Sequence, residues 1–431
     1  MEVQVRVEKQ NLVWDFQLDD SDGTYTDKIF MADQKFSITL PRKFNPKEIH
    51  PDHLALISIL VAHPFVGTCL NLPFKVSEGF AQVTSGFTAY KVKYASNDGA
   101  SYKSPANAVP GLAFSGGADS TACLLLMPKS TVSVFMDRPI RKKTSMYNKT
   151  ASMATIKHAK KQGFEMHRIL CDVEYTRQPL GFPTDLVPSI PLIAIAQQRG
   201  IDAIAFGTVM ESAYRIGHQQ ARDYANSHHF RLWGRLFAAA GLPLYLPVAG
   251  VSEVGTSKIV RESSFSHYTR SCIRGKWPNA CENCWKCFRK NMVEEKFNKG
   301  MVSEEFLRSG LQIREAKLKL QKWPVSHENV LAWALQGNTG ELNQILSQRF
   351  EGSERDLSYL ESFYPPSIDL IPPQYQKHTQ NELQKHLSEM DETFFKTVTE
   401  HKMGPWLESK DAINSKRRFD EFMLKEFPAT S

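Results

Sequence analysis

The sequence predicts an α/β protein: a parallel sheet wrapped by helices at its centre, a β-rich N-terminal part and a helical C-terminal part. Three observations carry this. From about residue 109, short apolar runs alternate with helical stretches, the pattern of a parallel sheet whose crossovers are helices. A glycine-rich turn, Ser115 to Thr121, joins the first of those runs to a helix. Four of the seven cysteines crowd between Cys272 and Cys287, near the end of the alternating region.

The N-terminal region, residues 1–105, reads mostly as strands: Val3/Val5/Val7, Lys35–Leu40 and the alternating Phe80–Tyr94, with turn residues from Asp19 to Gly23. It carries no catalytic motif. In the central region, 106–298, the expected strands are Leu112–Phe114, Val132–Met136, Phe164–Asp172, Ile201–Phe206 and Leu244–Val248. Helices are expected around Ser120–Met127, Ala151–Gln162 and Ser189–Gln198, and another begins at Thr256. The region 299–431 reads as charged helices, Ser303–Lys322, His327–Leu335 and Asn381–His401. Pro365-Pro366 and Pro372-Pro373 mark a linker or turn there. No internal repeat is evident.

Composition excludes some function classes. With 53 Lys+Arg against 46 Asp+Glu the formal charge is +7 over 431 residues, compatible with anionic ligands and too weak to argue for nucleic acid. Residues Met1 to Val7 alternate apolar with polar and lack an apolar signal core. The most apolar stretch, Leu54 to Leu72, is broken by His63, Pro64 and Gly67, so no membrane span is expected and the protein reads as cytoplasmic. Clustered cysteines in such a chain indicate metal rather than disulfides. Cys69, Cys123 and Cys171 lie in apolar surroundings and read as small core residues.

In the segment Phe114-Ser115-Gly116-Gly117-Ala118-Asp119-Ser120-Thr121 the glycines permit a tight turn and close approach of a ligand, and Ser120 and Thr121 open a helix whose free N–H groups attract phosphate. No Gly-Lys-Ser/Thr follows, which excludes the common P-loop. The Ser-Gly-Gly-x-Asp-Ser pattern instead resembles the signature of PP-loop ATP pyrophosphatases, which cleave ATP between the α and β phosphates and form adenylates. A ligand-free strand-to-helix turn is the alternative. By this resemblance Asp119 helps hold magnesium (Mg2+) beside the pyrophosphate; it can equally cap the helix. Asp137, at the end of the second strand, faces the edge where open α/β sheets bind nucleotides, and reads either as an adenosine contact or as a solvated turn residue. The run Arg138–Lys149 reads as a solvated segment, with a phosphate-contacting lid as the alternative. The resemblance also implies a late phosphate-binding lysine. Lys258 is the candidate and Arg261 the second; a solvated helical lysine is the other reading.

The spacing Cys272-x8-Cys281-x2-Cys284-x2-Cys287 brings four thiolates within reach of one ion and fits a closed, structural zinc (Zn2+) site. An iron–sulfur cluster is the competitor. Trp277, Trp285 and Phe288 are expected to pack around this knuckle.

Together the two motifs resemble 7-cyano-7-deazaguanine synthase, the QueC family, over about residues 109–295. The resemblance implies an adenine nucleotide alpha hydrolase-like domain that activates 7-carboxy-7-deazaguanine with ATP before an amine attacks. It implies that Ser115, Gly116, Gly117, Asp119 and Ser120, with Thr121 beside them, bind the phosphates, and that Cys272, Cys281, Cys284 and Cys287 hold zinc near the base pocket. Gly207 and Glu211 fall where that family lines the pocket; an exposed loop carboxylate is the alternative for Glu211. His218, His228 and His229 read as surface or packing residues.

The flanking regions depart from the usual family layout and resemble those of QueC-like proteins of antiphage defence systems, including type IV CBASS and Qat. That implies a protein amine as acceptor in place of ammonia, with the flanks as its platform. Every recognisable nucleotide and metal residue lies between Ser115 and Cys287, so the chain beyond about residue 340 is expected to be dispensable for adenylation. The nitrile-forming synthase, a tRNA-thiolating enzyme using Cys123 or Cys171, and a non-catalytic nucleotide-binding subunit remain the competing readings. The oligomeric state is left open, a homodimer included.

Overall fold

The structure, a computed structural model, describes residues 1–141 and 146–427. Five of the N-terminal strands, β1 (Glu2–Glu8), β2 (Asn11–Gln17), β3 (Lys35–Thr39), β4 (Cys69–Ser77) and β5 (Lys91–Gly99), join five of the central ones. The latter are β6 (Val109–Ala113), β7 (Val132–Asp137), β8 (Glu165–Cys171), β9 (Ile201–Ala205) and β10 (Leu244–Tyr245). All ten form one sheet in the order β10-β9-β6-β7-β8-β3-β2-β1-β4-β5.

The central five strands pair in parallel. β6, β7 and β9 are buried at nearly every residue, which is why they appear in the sequence as apolar runs, whereas β8 carries Glu165, His167 and Arg168 and leaves Arg168 and Leu170 exposed. β6 lies in the middle; the chain moves from it to β7 and β8 on one side, then to β9 and β10 on the other. That reversal leaves a crevice beyond the C-terminal end of β6, the place where open α/β sheets bind ligands. The helix Ala118–Leu126 starts there.

The N-terminal strands extend the same sheet. β3 pairs antiparallel with β8, with Thr39 opposite Leu170, and Trp14, Phe16 and Ile38 share one core with Val134, Ile169 and Leu192. The packing therefore runs without interruption through residue 105. The first part of the apolar stretch, Leu54 to Ala62, falls in the buried helix Pro51–Ala62, and its end, from Cys69, falls in β4. Among the described residues no helix is long and apolar enough to cross a membrane.

The segment Phe80–Tyr94 departs from the expected strand. The Ser77 hydroxyl accepts the Phe80 N–H at 3.3 Å and caps a helix, Glu78–Ser85, with Phe80 and Thr84 buried on one face. Strand pairing resumes only at Lys91.

The C-terminal region also joins the central core. Phe363, Ile371, Tyr375, Leu383 and Leu387 belong to the cluster that contains Leu112, Phe114, Ala122 and Ile259. Tyr375 stacks on Tyr245 with ring centroids 5.2 Å apart and donates to Asp202 at 2.6 Å. Pro365 and Pro366 open a short 3-10 turn, and Pro373 starts a helix ending at Gln384, so both proline pairs sit within packed structure.

Candidate functional site

Gly116 has φ +79°, a conformation that favours glycine, and a Cβ there would lie 2.9 Å from the Ser152 Cα. Gly117 is the extended residue before the helix. The Ser120 hydroxyl donates to the Gly117 carbonyl at 3.1 Å and lies 3.0 Å from the Ser115 hydroxyl, closing the turn on itself. The Ala118 N–H donates to the Ser271 hydroxyl at 3.3 Å, tying the turn to the residue before Cys272. First-turn N–H groups have no partner inside a helix, so the end of Ala118–Leu126 presents donors and a positive dipole to the crevice. Thr121 is buried and faces Thr269 instead. Gly207, just past β9, lies against this turn: a Cβ there would come within 2.8 Å of the Ser120 nitrogen, so Gly207 supports the turn from beneath.

Asp119 accepts from the Thr256 hydroxyl at 3.0 Å, and the Lys290 ammonium lies 3.5 Å from the same oxygen. Thr256 sits on the helix Glu253–Arg261 and Lys290 on the helix Trp285–Lys299. Glu253 binds both Lys290, at 3.3 Å, and Arg289, through two hydrogen bonds of 2.8 and 3.0 Å. Burial alone would raise the Glu253 carboxyl, but Lys290 and Arg289 outweigh it and hold it well below the usual carboxylate range. Lys290 experiences the converse: burial opposes its charge, and Asp119 and Glu253 together keep its pKa above the ordinary lysine value. Spacing in the sequence did not reveal Lys290, which lies 171 residues from Asp119. The available signal was its place one turn beyond Cys287.

Glu211 is not on an exposed loop. It is 1 % exposed and accepts the Glu253 N–H at 3.0 Å and the Asn329 amide at 3.3 Å, so its carboxyl faces the interior rather than an open pocket. Burial, and then the nearby charge of Glu253, push it up to about 8. Among the described residues Asn329 Oδ1 has no partner, and a neutral Glu211 would supply one once the amide turns over.

A carboxyl whose folded pKa is raised stabilises most below its unfolded value and loses that contribution as pH rises through the folded one. The window here is about 4.5 to about 8. Glu211→Gln, which mimics the neutral acid, is expected to gain stability relative to the wild type between about pH 5 and about pH 9. Urea melts at both ends of that range check this, and a constant difference would refute a neutral Glu211.

Asp137 ends β7 as expected, yet it is neither solvated nor open to a ligand. It is buried beneath Lys149, at 2.6 Å, and Arg168, whose Nε is also at 2.6 Å. The described ends of the run 138–149 are likewise tied down: Arg138 pairs with Glu174 at 2.8 Å, and Arg141 with Asp172 at 2.7 Å and with Asp33. Residues 142–145 of that run lie outside the described residues.

Two cavities flank the turn. A small apolar one of about 120 Å³ lies beyond the ends of β6 and β7, walled by Phe114, Phe135, Met136, Phe182 and Ile273. The larger, about 640 Å³, lies between Ala118, the Glu253 helix and the cysteine segment, and Arg261, Arg270, Lys286 and Lys290 bring positive charge to it. Arg261 is bound by Glu294 and Asn298, and Arg270 donates to the carbonyls of Ser266, Thr269 and Pro278. Lys258 is half-buried and does not line this cleft.

The four thiols of Cys272, Cys281, Cys284 and Cys287 lie within 4.8 Å of one another, a cluster that can hold a metal ion such as zinc. Metal–sulfur bonds of about 2.3 Å place tetrahedral sulfurs about 3.8 Å apart; Cys281 and Cys287 are at 3.7 Å. N–H groups of Arg274, Gly275 and Cys281 point at the Cys272 sulfur at 3.3 to 3.5 Å, which favours its thiolate. Cys284 is the N-cap of the helix that carries Lys290. Trp285 and Phe288 are buried and stacked beside the cluster, whereas Trp277 is partly exposed and stacks on Tyr268.

Cys123 and Cys171 are fully buried, and burial pushes both thiols up. Cys69 is only half-buried, at the start of β4. His228 is exposed, His229 pairs with Asp185, and His218 packs against His327.

No curated protein and no solved structure matches the chain. A family model described as a family of unknown function (DUF6395) matches residues 232–402, a span that holds Glu253, the cysteine cluster, Lys290 and most of the C-terminal core contacts, but not the Ser115–Thr121 turn.

Proposed function

We propose that this protein is a PP-loop, AMP-forming carbon–nitrogen ligase that activates a carboxylate of the 7-carboxy-7-deazaguanine type with ATP. The single observation that carries the reading is position: the Ser-Gly-Gly-x-Asp-Ser turn lies at the crevice beyond the central parallel strand, with a cationic cleft on one side and an apolar pocket on the other. The apolar pocket suits a flat base, and the turn receives the phosphates. The cleft receives the carboxylate substrate, with Lys286 on its wall at hand for its charge.

In this scheme a carboxylate oxygen attacks the α-phosphorus and the bond to pyrophosphate breaks, leaving an acyl-adenylate. An amine then attacks the acyl carbon, AMP departs and the amine gives up a proton. A carboxylate resists nucleophiles until AMP provides a leaving group. Helix donors at Asp119 and Ser120 stabilise charge that grows on the phosphates. Asp119 supplies an oxygen for magnesium, a hard cation. The cysteine set is assigned to zinc, as a support for the cleft wall.

The acceptor we favour is an amine of a protein partner, in the manner of the defence-associated relatives. Ile273 and Trp277, exposed on the cysteine segment at 52 % and 38 %, offer apolar contact for such a partner. Ammonia is the competing acceptor. The buried, pKa-raised thiols of Cys123 and Cys171 speak against thiolation chemistry.

The test is release of AMP and pyrophosphate from ATP on addition of 7-carboxy-7-deazaguanine, with and without ammonia. Asp119→Ala is expected to abolish release while the fold persists. Release of ADP, or undiminished AMP formation by the variant, would sink the assignment.

A further inference from the structure

We propose that Lys290 is the cation that contacts the terminal phosphates of the bound nucleotide, and that Glu253 is the residue that positions it. This rests on the nucleotide reading above and adds the residues that complete it. Of the four cations lining the large cleft, Arg261 is bound through both terminal nitrogens and Arg270 through Nε and Nη1 to protein partners. Lys286 is exposed on the cleft wall. Lys290 stands beside the turn, close to Asp119.

The geometry around Lys290 is that of a held but uncommitted donor. Its ammonium lies 3.5 Å from Asp119 and 3.3 Å from Glu253, both longer than a good charge-assisted hydrogen bond. Two carboxylates therefore keep it charged in a largely buried place, and an ammonium with three protons has donors left for a phosphate oxygen. The side chain is 11 % exposed, and that exposure is toward the cleft it lines.

Glu253 is itself fixed from several sides. Arg289 binds it through two nitrogens, His327 lies 3.6 Å from Oε1, and its own N–H is anchored by Glu211. Ser252 caps the helix on which it stands, with bonds of 3.1 and 3.0 Å from the N–H groups of Val254 and Gly255. Arg289 thus occupies the carboxylate and leaves the edge of Oε2 for Lys290. The glutamate touches no part of the cleft, so its effect on a ligand passes through Lys290.

The experiment compares MgATP with AMP, because only ATP has terminal phosphates, by calorimetric titration of the full metal-loaded chain. Lys290→Met is expected to weaken ATP binding by about tenfold to a hundredfold, the loss of one charge-assisted contact, and AMP binding by less than about twofold. Lys290→Arg is expected to restore most of the ATP affinity. Glu253→Gln, and Glu253→Asp should the first fail to fold, are expected to weaken ATP in the same selective way. Equal ATP affinity in Lys290→Met, or a parallel loss of ATP and AMP, overturns the phosphate contact. Unchanged ATP affinity in a folded Glu253 variant overturns the positioning role. A wild-type protein that binds neither nucleotide removes the parent reading instead, so the two failures are distinct.

Discussion

A chain ending at residue 340 is expected to fail to fold, rather than to persist as an adenylating core that has lost its platform. Phe363, Ile371, Leu383 and Leu387, each 3 % exposed or less, pack into the cluster that holds Leu112 of the central strand and Ala122 of the turn helix. At about 1.5–3 kcal/mol for each fully buried side chain, these four alone contribute on the order of 10 kcal/mol. A domain's whole margin is about 5–15 kcal/mol. The truncation also strands polar groups: the Gly250 carbonyl loses the Tyr364 N–H at 2.8 Å, the Tyr245 hydroxyl loses Thr379 at 2.6 Å, and Ser252 loses the Leu360 carbonyl. Circular dichroism and thermal melting of the shortened chain provide the check. Cooperative melting near the full-length midpoint would show the C-terminal region to be separable, as its sequence alone suggested.

Replacing Cys284 with serine is expected to remove the metal and melt the segment from Ser271 to the Lys290 helix. The substitution isolates the metal effect, since serine is itself a good N-cap and can still accept the Cys287 N–H that the Cys284 sulfur now receives at 3.4 Å. What remains is a site with three thiolates. Structural zinc contributes on the order of 10 kcal/mol to the folding of the small units it closes. The helix it anchors carries Arg289 and Lys290, so the Glu253 network should loosen with it. Metal analysis should find about one zinc per chain in the wild type and a marked loss in the variant, with a large drop in melting temperature. Iron in place of zinc would transfer the cluster to iron–sulfur chemistry, and an unaltered melt would deny it a structural role.

The elements most legible in the sequence were those whose signal is local. The strand runs at Val132 and Ile201 and the turn at Ser115 were visible because burial on both faces and a left-handed glycine each impose composition on adjacent residues. The cysteine cluster was legible for the same reason: metal ligands must recur within a turn or two of chain. Phe80–Tyr94 was misread because a short helix needs only one buried face, here Phe80 and Thr84 four apart, while alternate residues in the same stretch imitate a strand. Lys258 was singled out from its helix alone, and helical position does not say which face of a helix meets a cleft built from another segment; Lys258 does not line the cleft that Lys290 does.

By itself, then, the sequence determined the five central strands, the glycine turn and the four-thiol cluster, since each is written in neighbouring residues, whereas the helices His228–Ala239 and Trp285–Lys299 lay outside its expectations. Tertiary structure alone decided that the N-terminal strands continue the central sheet beyond β8 and that the C-terminal helices complete its core, because strand pairing and side-chain packing join residues more than a hundred positions apart. It also decided the state of the carboxylates. Asp137 became a buried ion-paired group, Glu211 a raised acid and Glu253 a strongly ionised one, though all three are ordinary acids on paper. A carboxylate's pKa follows from what burial removes and which charges remain beside it, and those neighbours are assembled only when the chain has folded.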